Sequence, residues 1–334
     1  MKVKIFDGHA DIWSDTAEKR KKGCEDIVKN FHLERFEKGE IFGGIFSAWL
    51  DDKIPEDKWE KEFIYMLNSV NHEINSNPEI FNIIKRKGDF QKGIESGKLN
   101  VLMGVEGLRA IGDNLDWIDT LYNLGYRHAT LTWNEKNFLG TGAGGKSEEG
   151  LTILGEKAVK KMNDLGMIID VSHASEGTFW DIAKICSKPF IASHSNARAL
   201  CNVPRNLTDE QVKAVAHSGG VIGVNGYIGF IKQYDFSSLV PIENSDLFLK
   251  PDVKDLADHI DYIVKLTGID YVGFGFDFCE FLSEELKNTN PKNLEDASKA
   301  QNIIEELRKR GYSEEDIEKI AYKNFMRVIE ENIK

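Results

Sequence analysis

A (β/α)8 TIM barrel with additional helices is the fold that this 334-residue sequence predicts, and three observations carry the prediction. Eight apolar, β-branched or Gly-rich segments recur along the chain, as strands buried in a parallel sheet do. The stretches between them run 15–49 residues, too long for tight hairpins and long enough for crossover helices. Histidine and carboxylate side chains fall near the C-terminal ends of five of the eight segments, the end at which such barrels assemble their sites.

In chain order the segments are KVKIFDGHAD (2–11), IFGGIFSAWL (41–50), NVLMGVEG (100–107), YRHATLTW (126–133), GMIIDVSH (166–173), PFIASHS (189–195), GVIGVNGY (220–227) and DYVGFGFDF (270–278). Helical signals lie between them. Leu151, Leu154, Ala158, Val159, Met162 and Leu165 keep a helical spacing. Thr208 with Gln211 forms a capping-box pattern, and that helix is expected to end at Gly219-Gly220. Ser313 followed by Glu314, Glu315 and Asp316 opens the final helix in the same way. A doubly wound open sheet is the alternative architecture. With no Pro/Ser-rich linker and no repeat beyond the βα rhythm, residues 1–334 read as one catalytic barrel domain. Insertions are expected near 51–99 and 228–250, and a helical tail over 295–334.

Composition narrows the function. The 43 Lys+Arg against 55 Asp+Glu give a net charge of −12, which argues against nucleic-acid binding and attraction to anionic membranes. The opening MKVKIFDGHAD turns polar too early for a signal-peptide core, and no apolar run approaches a membrane span. Cys24, Cys186, Cys201 and Cys279 are scattered without a CxxC, so neither a disulfide framework nor a zinc knuckle is indicated. A cytoplasmic protein is expected.

The chemistry is expected from six side chains. His9 and Asp11 share one face of the first segment, and Glu106, His173, His194 and Asp277 lie near the ends of four others. Gly104, Gly273 and Gly275 share strand parity with the acids above them, and are expected to empty the inward face beneath. Buried charges without compensation cost several kcal/mol each, so cations are the natural partners. Histidine and carboxylate donors without cysteine suit Zn²⁺ or a similar divalent ion in an open site. Five ligands fit two ions, with His9 and Asp11 on one, His173 and His194 on the other, and Glu106 across both. Such a pair holds a bridging hydroxide as nucleophile, and Asp277 is placed to relay its proton. His32, His72, His128, His217 and His259 read as structural, lacking acidic company. The stretch 140–147 matches a phosphate loop, GxxxxGK[ST], but Asn134–Asn137 part it from the strand, and Glu148, Glu149 and Gly150 follow it. That context disfavours nucleotide binding, and a Gly-rich lid is expected instead.

The motifs DGHAD (7–11), GVEG (104–107), LGYRHATLTW (124–133), IIDVSHAS (168–175), IASHSNAR (191–198), PRNLTDEQ (204–211) and VGFGFDF (272–278) resemble, in order and spacing, the zinc-dependent membrane (renal) dipeptidases and their bacterial relatives. The resemblance implies an amidohydrolase-like barrel and a metallopeptidase that hydrolyses dipeptides, including those with a C-terminal D-residue. It implies two Zn²⁺ or other divalent ions on His9, Asp11, Glu106, His173 and His194. Asp277 matches the acid at the metal-bound water, and Arg205 the arginine that pairs with the substrate carboxylate. A homodimer is also implied. Trp133 stands where mammalian members have a histidine, and the family tyrosine falls on Phe230 with Tyr227 close by. Trp13, Trp49 and Trp133 are candidates for an apolar pocket wall, and Trp133 and Tyr227 for substrate contact. The alternative is the same metal chemistry on N-acyl amino acids, lactones or cyclic amides.

Overall fold

The computed structural model describes residues 2–232 and 250–334. Its strands are β1 (Ile5–Ala10), β2 (Ile41–Trp49), β3 (Phe81–Ile83), β4 (Leu99–Glu106), β5 (Tyr126–Thr130), β6 (Ile168–Asp170), β7 (Ile222–Val224) and β8 (Val272–Phe274). All pairings between these strands are parallel. One sheet runs β1-β2-β4-β5-β6 with β3 paired outside on β4, and β7 pairs with β8. Residues 189–195 join the two through the bridges Asp170 to Ile191 and Ala192 to Ile222. At the closing seam, Asp277 donates its N–H to the His9 carbonyl (3.3 Å) and Phe276 donates to the Asp7 carboxylate (2.9 Å). The parallel ring of a (β/α)8 barrel results.

Two details differ from expectation. The sixth expected strand contributes only bridges, because Pro189 has no N–H and the Ser193 N–H is taken by the Asp170 side chain at 3.0 Å. The short β3 was not expected; only Phe81 of its three residues is buried, so it lacks the apolar run that marks the other short strands. The strand glycines also do something other than empty the inward face. A Cβ at Gly275 or Gly223 would lie 1.8 or 2.0 Å from the Ser193 carbonyl oxygen, so these glycines let neighbouring backbones close the ring. Gly104 likewise admits the His128 ring, at 2.6 Å from its hypothetical Cβ.

The tail seals the barrel floor. Its helices Gln301–Lys309, Glu314–Glu318 and Asn324–Asn332 end with Phe325 packed beneath Gly8 and Gly273, where a Cβ would come within 2.4 and 2.6 Å of its ring. Phe6, Ile45, Phe90 and Leu102 complete that apolar plug. The capping box forms as expected: Thr208 accepts from Gln211 N–H at the head of Asp209–His217. Ser313 caps Glu314–Glu318, and Ile153–Leu165 ends at a left-handed Gly166. Within 51–99 lie the helices Trp59–Ser76 and Asp89–Ser96. The expected insertion at 228–250 falls mostly outside the described residues. No helix among those described is long and apolar enough to cross a membrane.

Candidate metal centre

All six candidate side chains converge at one mouth of the ring. His9 and Asp11 leave the end of β1, Glu106 is the last residue of β4, His173 follows β6, His194 lies in the bridging segment and Asp277 follows β8. His173 (φ 70°) and Asp277 (φ 56°) both sit in the left-handed region, which costs a non-glycine residue about 1–3 kcal/mol. At each position the chain turns sharply off its strand, which throws the side chain over the mouth.

Glu106 divides the cluster into two lobes. Its Oε2 lies 3.6 Å from His9 Nε2, and its Oε1 lies 2.8 Å from His173 Nε2 and 3.3 Å from His194 Nε2. On the first side His9 Nε2 is also 3.8 Å from Asp11 Oδ1 and 4.0 Å from Asp277 Oδ1. On the second, the two imidazole Nε2 atoms are 2.9 Å apart. His9 Nε2 and Asp11 Oδ1 are buried without any hydrogen-bond partner, a costly state unless a cation completes it. Donor atoms of His9, Glu106 and His194, and of His9, Asp11 and Asp277, lie within 4.8 Å of one another. The donor set therefore fits divalent ions.

Electrostatics among the protein groups show an excess of negative charge in the first lobe. Burial lowers His9, but Glu106, Asp11 and Asp277 override it and lift it to about 10. Burial and the Arg205 charge pull His173 down to about 3, and burial and His9 lower His194. His173 thus stays neutral at neutral pH, with its Nε2 lone pair free to ligate. Burial and Glu106 push Asp11 well up, whereas His9 holds Glu106 well down against its own burial.

Supporting groups set the tautomers. Asn134 Oδ1 takes the His173 Nδ1–H at 2.9 Å, Ser193 Oγ meets His194 Nδ1 at 2.7 Å, and Ser47 Oγ lies 3.4 Å from His9 Nδ1. Asn225 donates to Asp277 Oδ2 at 3.0 Å. Cys279 Sγ stands 3.3 Å from Asp277 Oδ1; burial and the Asp277 and Asp11 charges push this thiol well up, so the protein groups alone keep it protonated. None of Asn134, Asn225, Ser193 or Cys279 was singled out from sequence as part of the site. Their nearness in the chain to Trp133, Tyr227, His194 and Asp277 was the only signal.

A cavity of about 520 Å³ opens over the cluster, lined by Asp11, Glu106, His173, Asp277 and, on its walls, Trp49, Trp133, Tyr227 and Phe230. Trp133 packs 5.8 Å from the His173 ring and 5.3 Å from Trp49. Trp13 does not join them: it is fully buried against Phe46 and Phe81 in the core. Arg205 is buried beside the cavity, with its guanidinium 5.2 Å from the Phe230 ring. It holds only long contacts, 3.5 Å to Ser195 Oγ and 3.3 Å to the His194 carbonyl, and no carboxylate pairs with it among the described residues. A buried cation in that state is suited to receiving an anion.

The remaining histidines need one correction. His32 and His128 do have acidic company, 2.8 Å from Asp15 and from Asp170, and His72 lies 3.3 Å from Glu25. Asp170 ties the network behind the site, also accepting from Ser172 and Ser193 N–H. The phosphate-loop look-alike is a wall of the cavity. Gly142, Ala143 and Gly144 donate their N–H groups to Glu135, His173 and Asn134 carbonyls, and Lys146 projects outward 3.5 Å from Glu149. No amide cradle is left for a phosphate. Magnesium nucleotides are accordingly expected to leave the melting temperature of wild type and Lys146→Ala unchanged in a thermal-shift measurement.

The model of the membrane dipeptidase family, peptidase family M19, matches residues 1–334. The chain belongs to this family of metallo-dipeptidases. A protein of Klebsiella pneumoniae, described only as uncharacterized and lying in the pqqA 5′ region, is 35% identical over 248 residues, 72% of this chain and 85% of its own. A Rhodobacter sphaeroides metallo peptidase liganded with a phosphinate mimic of the dipeptide L-Ala-D-Ala superposes with a TM-score of 0.86 at 22% identity, over 99% of this chain and all of that one. The probable dipeptidase PvdM from Pseudomonas aeruginosa gives 0.79 at 25% identity, covering 90% of this chain and 88% of that one.

Proposed function

We propose that this dipeptidase-family chain works as one catalytic unit with two Zn²⁺ ions. His9 and Asp11 would hold one, His173 and His194 the other, and Glu106 would bridge them. The observation that carries this reading is Glu106, whose two oxygens face opposite lobes while His9 Nε2 and Asp11 Oδ1 lie buried and unpartnered. When bound, the ions would polarise the scissile carbonyl and activate water for attack on it.

The chain's own groups do the rest. Arg205 takes the dipeptide's terminal carboxylate as a planar fork, which fixes the register of the substrate. The free amine is drawn to the carboxylate-rich end around Asp11 and Asp277. Asp277, oriented by Asn225, accepts the proton of the attacking water and returns it to the leaving amine. Trp49 and Trp133 form the apolar wall and, with Tyr227, shield the site from bulk water. A D-residue at the second position is read as tolerated, in line with the mimic bound by the Rhodobacter protein.

The test is a panel of free dipeptides, dipeptide amides and N-acyl amino acids, with metal content measured alongside. Release of amino acids from dipeptides is expected. If none is released from any dipeptide, the same barrel acts on another amide or lactone. Arg205→Ala is expected to lower kcat/KM for free dipeptides about 10–100-fold, the worth of a charge-assisted pair. It should barely affect dipeptide amides, which lack the carboxylate.

A further inference from the structure

The first lobe of the cluster contains a donor that a histidine–carboxylate ligand set leaves out. Asp277 turns the chain back on itself, and this brings Cys279, two residues later, into the cavity beside it. Cys279 Sγ lies 3.3 Å from Asp277 Oδ1 and 4.0 Å from Asp11 Oδ2. His9 Nε2 and Asp11 Oδ1, both buried and unpartnered, stand 3.8 Å apart on the same side. Donors around one tetrahedral zinc, at its usual bond lengths to sulfur, nitrogen and oxygen, are separated by about 3.3–3.8 Å. The sulfur's 4.0 Å to Asp11 Oδ2 is slightly beyond that spacing, a gap that a small turn of either side chain closes around a shared ion.

We propose that Cys279 supplies a thiolate ligand to the ion held by His9 and Asp11, a role that rests on the two-metal reading above. Binding forms a sulfur–metal bond and breaks the S–H bond, and the proton leaves through the open cavity to solvent. A thiolate is a soft donor, so the site selects zinc or cadmium over magnesium and manganese. The other cysteines offer nothing comparable. Cys201 Sγ faces the Gly229 carbonyl at 3.6 Å, and Cys186 Sγ faces Asn163 and the Lys188 carbonyl.

Cobalt substitution of the metal-free full chain tests the proposal without relying on turnover. Two equivalents of Co²⁺ should give the visible bands of a bound ion together with a near-ultraviolet thiolate-to-cobalt charge-transfer band. That band should vanish in Cys279→Ser and Cys279→Ala and persist in Cys201→Ser. In competition, the preference for Zn²⁺ over Mn²⁺ should fall on the order of tenfold or more in Cys279→Ser, as a soft donor is lost. Bound cobalt with visible bands but no charge-transfer band overturns the thiolate and leaves the two-metal reading standing, as does a band that survives Cys279→Ser. Failure of cobalt to bind at all overturns both. Should neither variant fold, iodoacetamide labelling of wild type decides: metal should protect Cys279, and equal labelling with and without metal overturns the proposal.

Discussion

Asp277→Asn is expected to lose about 10²–10⁴-fold in kcat while retaining two equivalents of metal, the range general acid–base catalysis contributes. That loss corresponds to about 3–5 kcal/mol of transition-state stabilisation. Asn225 donates to one carboxylate oxygen, Oδ2, and leaves Oδ1 directed toward His9 Nε2 at 4.0 Å. His194 and His9 hold the carboxyl below its usual range although burial opposes them, so it stands ready as a base. Asparagine keeps the shape and its oxygen can still accept from Asn225, but it cannot take a proton. It also tolerates the left-handed backbone at this position better than most residues. The five residues read as ligands are untouched, so elemental analysis should give an unchanged metal count. Full activity in this variant would remove Asp277 from the proton relay.

The contrast between what the sequence displayed and what it hid has a physical basis. Strands β1, β2 and β4 are buried on every residue or nearly so, and the run of apolar letters that burial demands is what makes them legible. The six side chains that meet at the mouth were legible for the complementary reason: ionisable groups at the ends of such apolar runs stand out, since burying them without a partner is costly. Segment 189–195 was harder, because a side chain, that of Asp170, replaces a ladder carbonyl, and no local pattern reports that exchange. The pairing of His128 with Asp170 spans 42 residues, so a view of each histidine among its chain neighbours missed it. Asn134, Asn225 and Ser193 are common polar letters whose role lies in orientation, which exists only once the barrel has closed. Cys279 has no cysteine near it in the sequence, and Asp11, 4.0 Å from its sulfur, lies 268 residues away along the chain.

His173→Ala should bind no more than about one equivalent of metal and show no measurable turnover. The reason lies in the crowding of the second lobe. His173 Nε2, His194 Nε2 and Glu106 Oε1 meet at 2.8–3.3 Å, three electron-rich atoms that repel unless a proton or cation sits among them. With His173 pulled down to about 3 by burial and Arg205, its Nε2 carries no proton at neutral pH and offers its lone pair to a cation. Its ring is fixed from behind by Asn134 and its backbone by Ala143, whose N–H donates to the His173 carbonyl at 2.8 Å. Removing only that rear support, in Asn134→Ala, should cost about 10–100-fold in metal affinity or activity, the usual effect of an outer partner. Removing the ligand should exceed this, leaving the second ion undetectable after dialysis. His173→Asn, which suits the left-handed φ, controls for backbone disturbance and should fold, with the same metal deficit. Two equivalents bound at wild-type affinity in His173→Ala would take His173 out of the ligand set and break the two-lobe arrangement across Glu106.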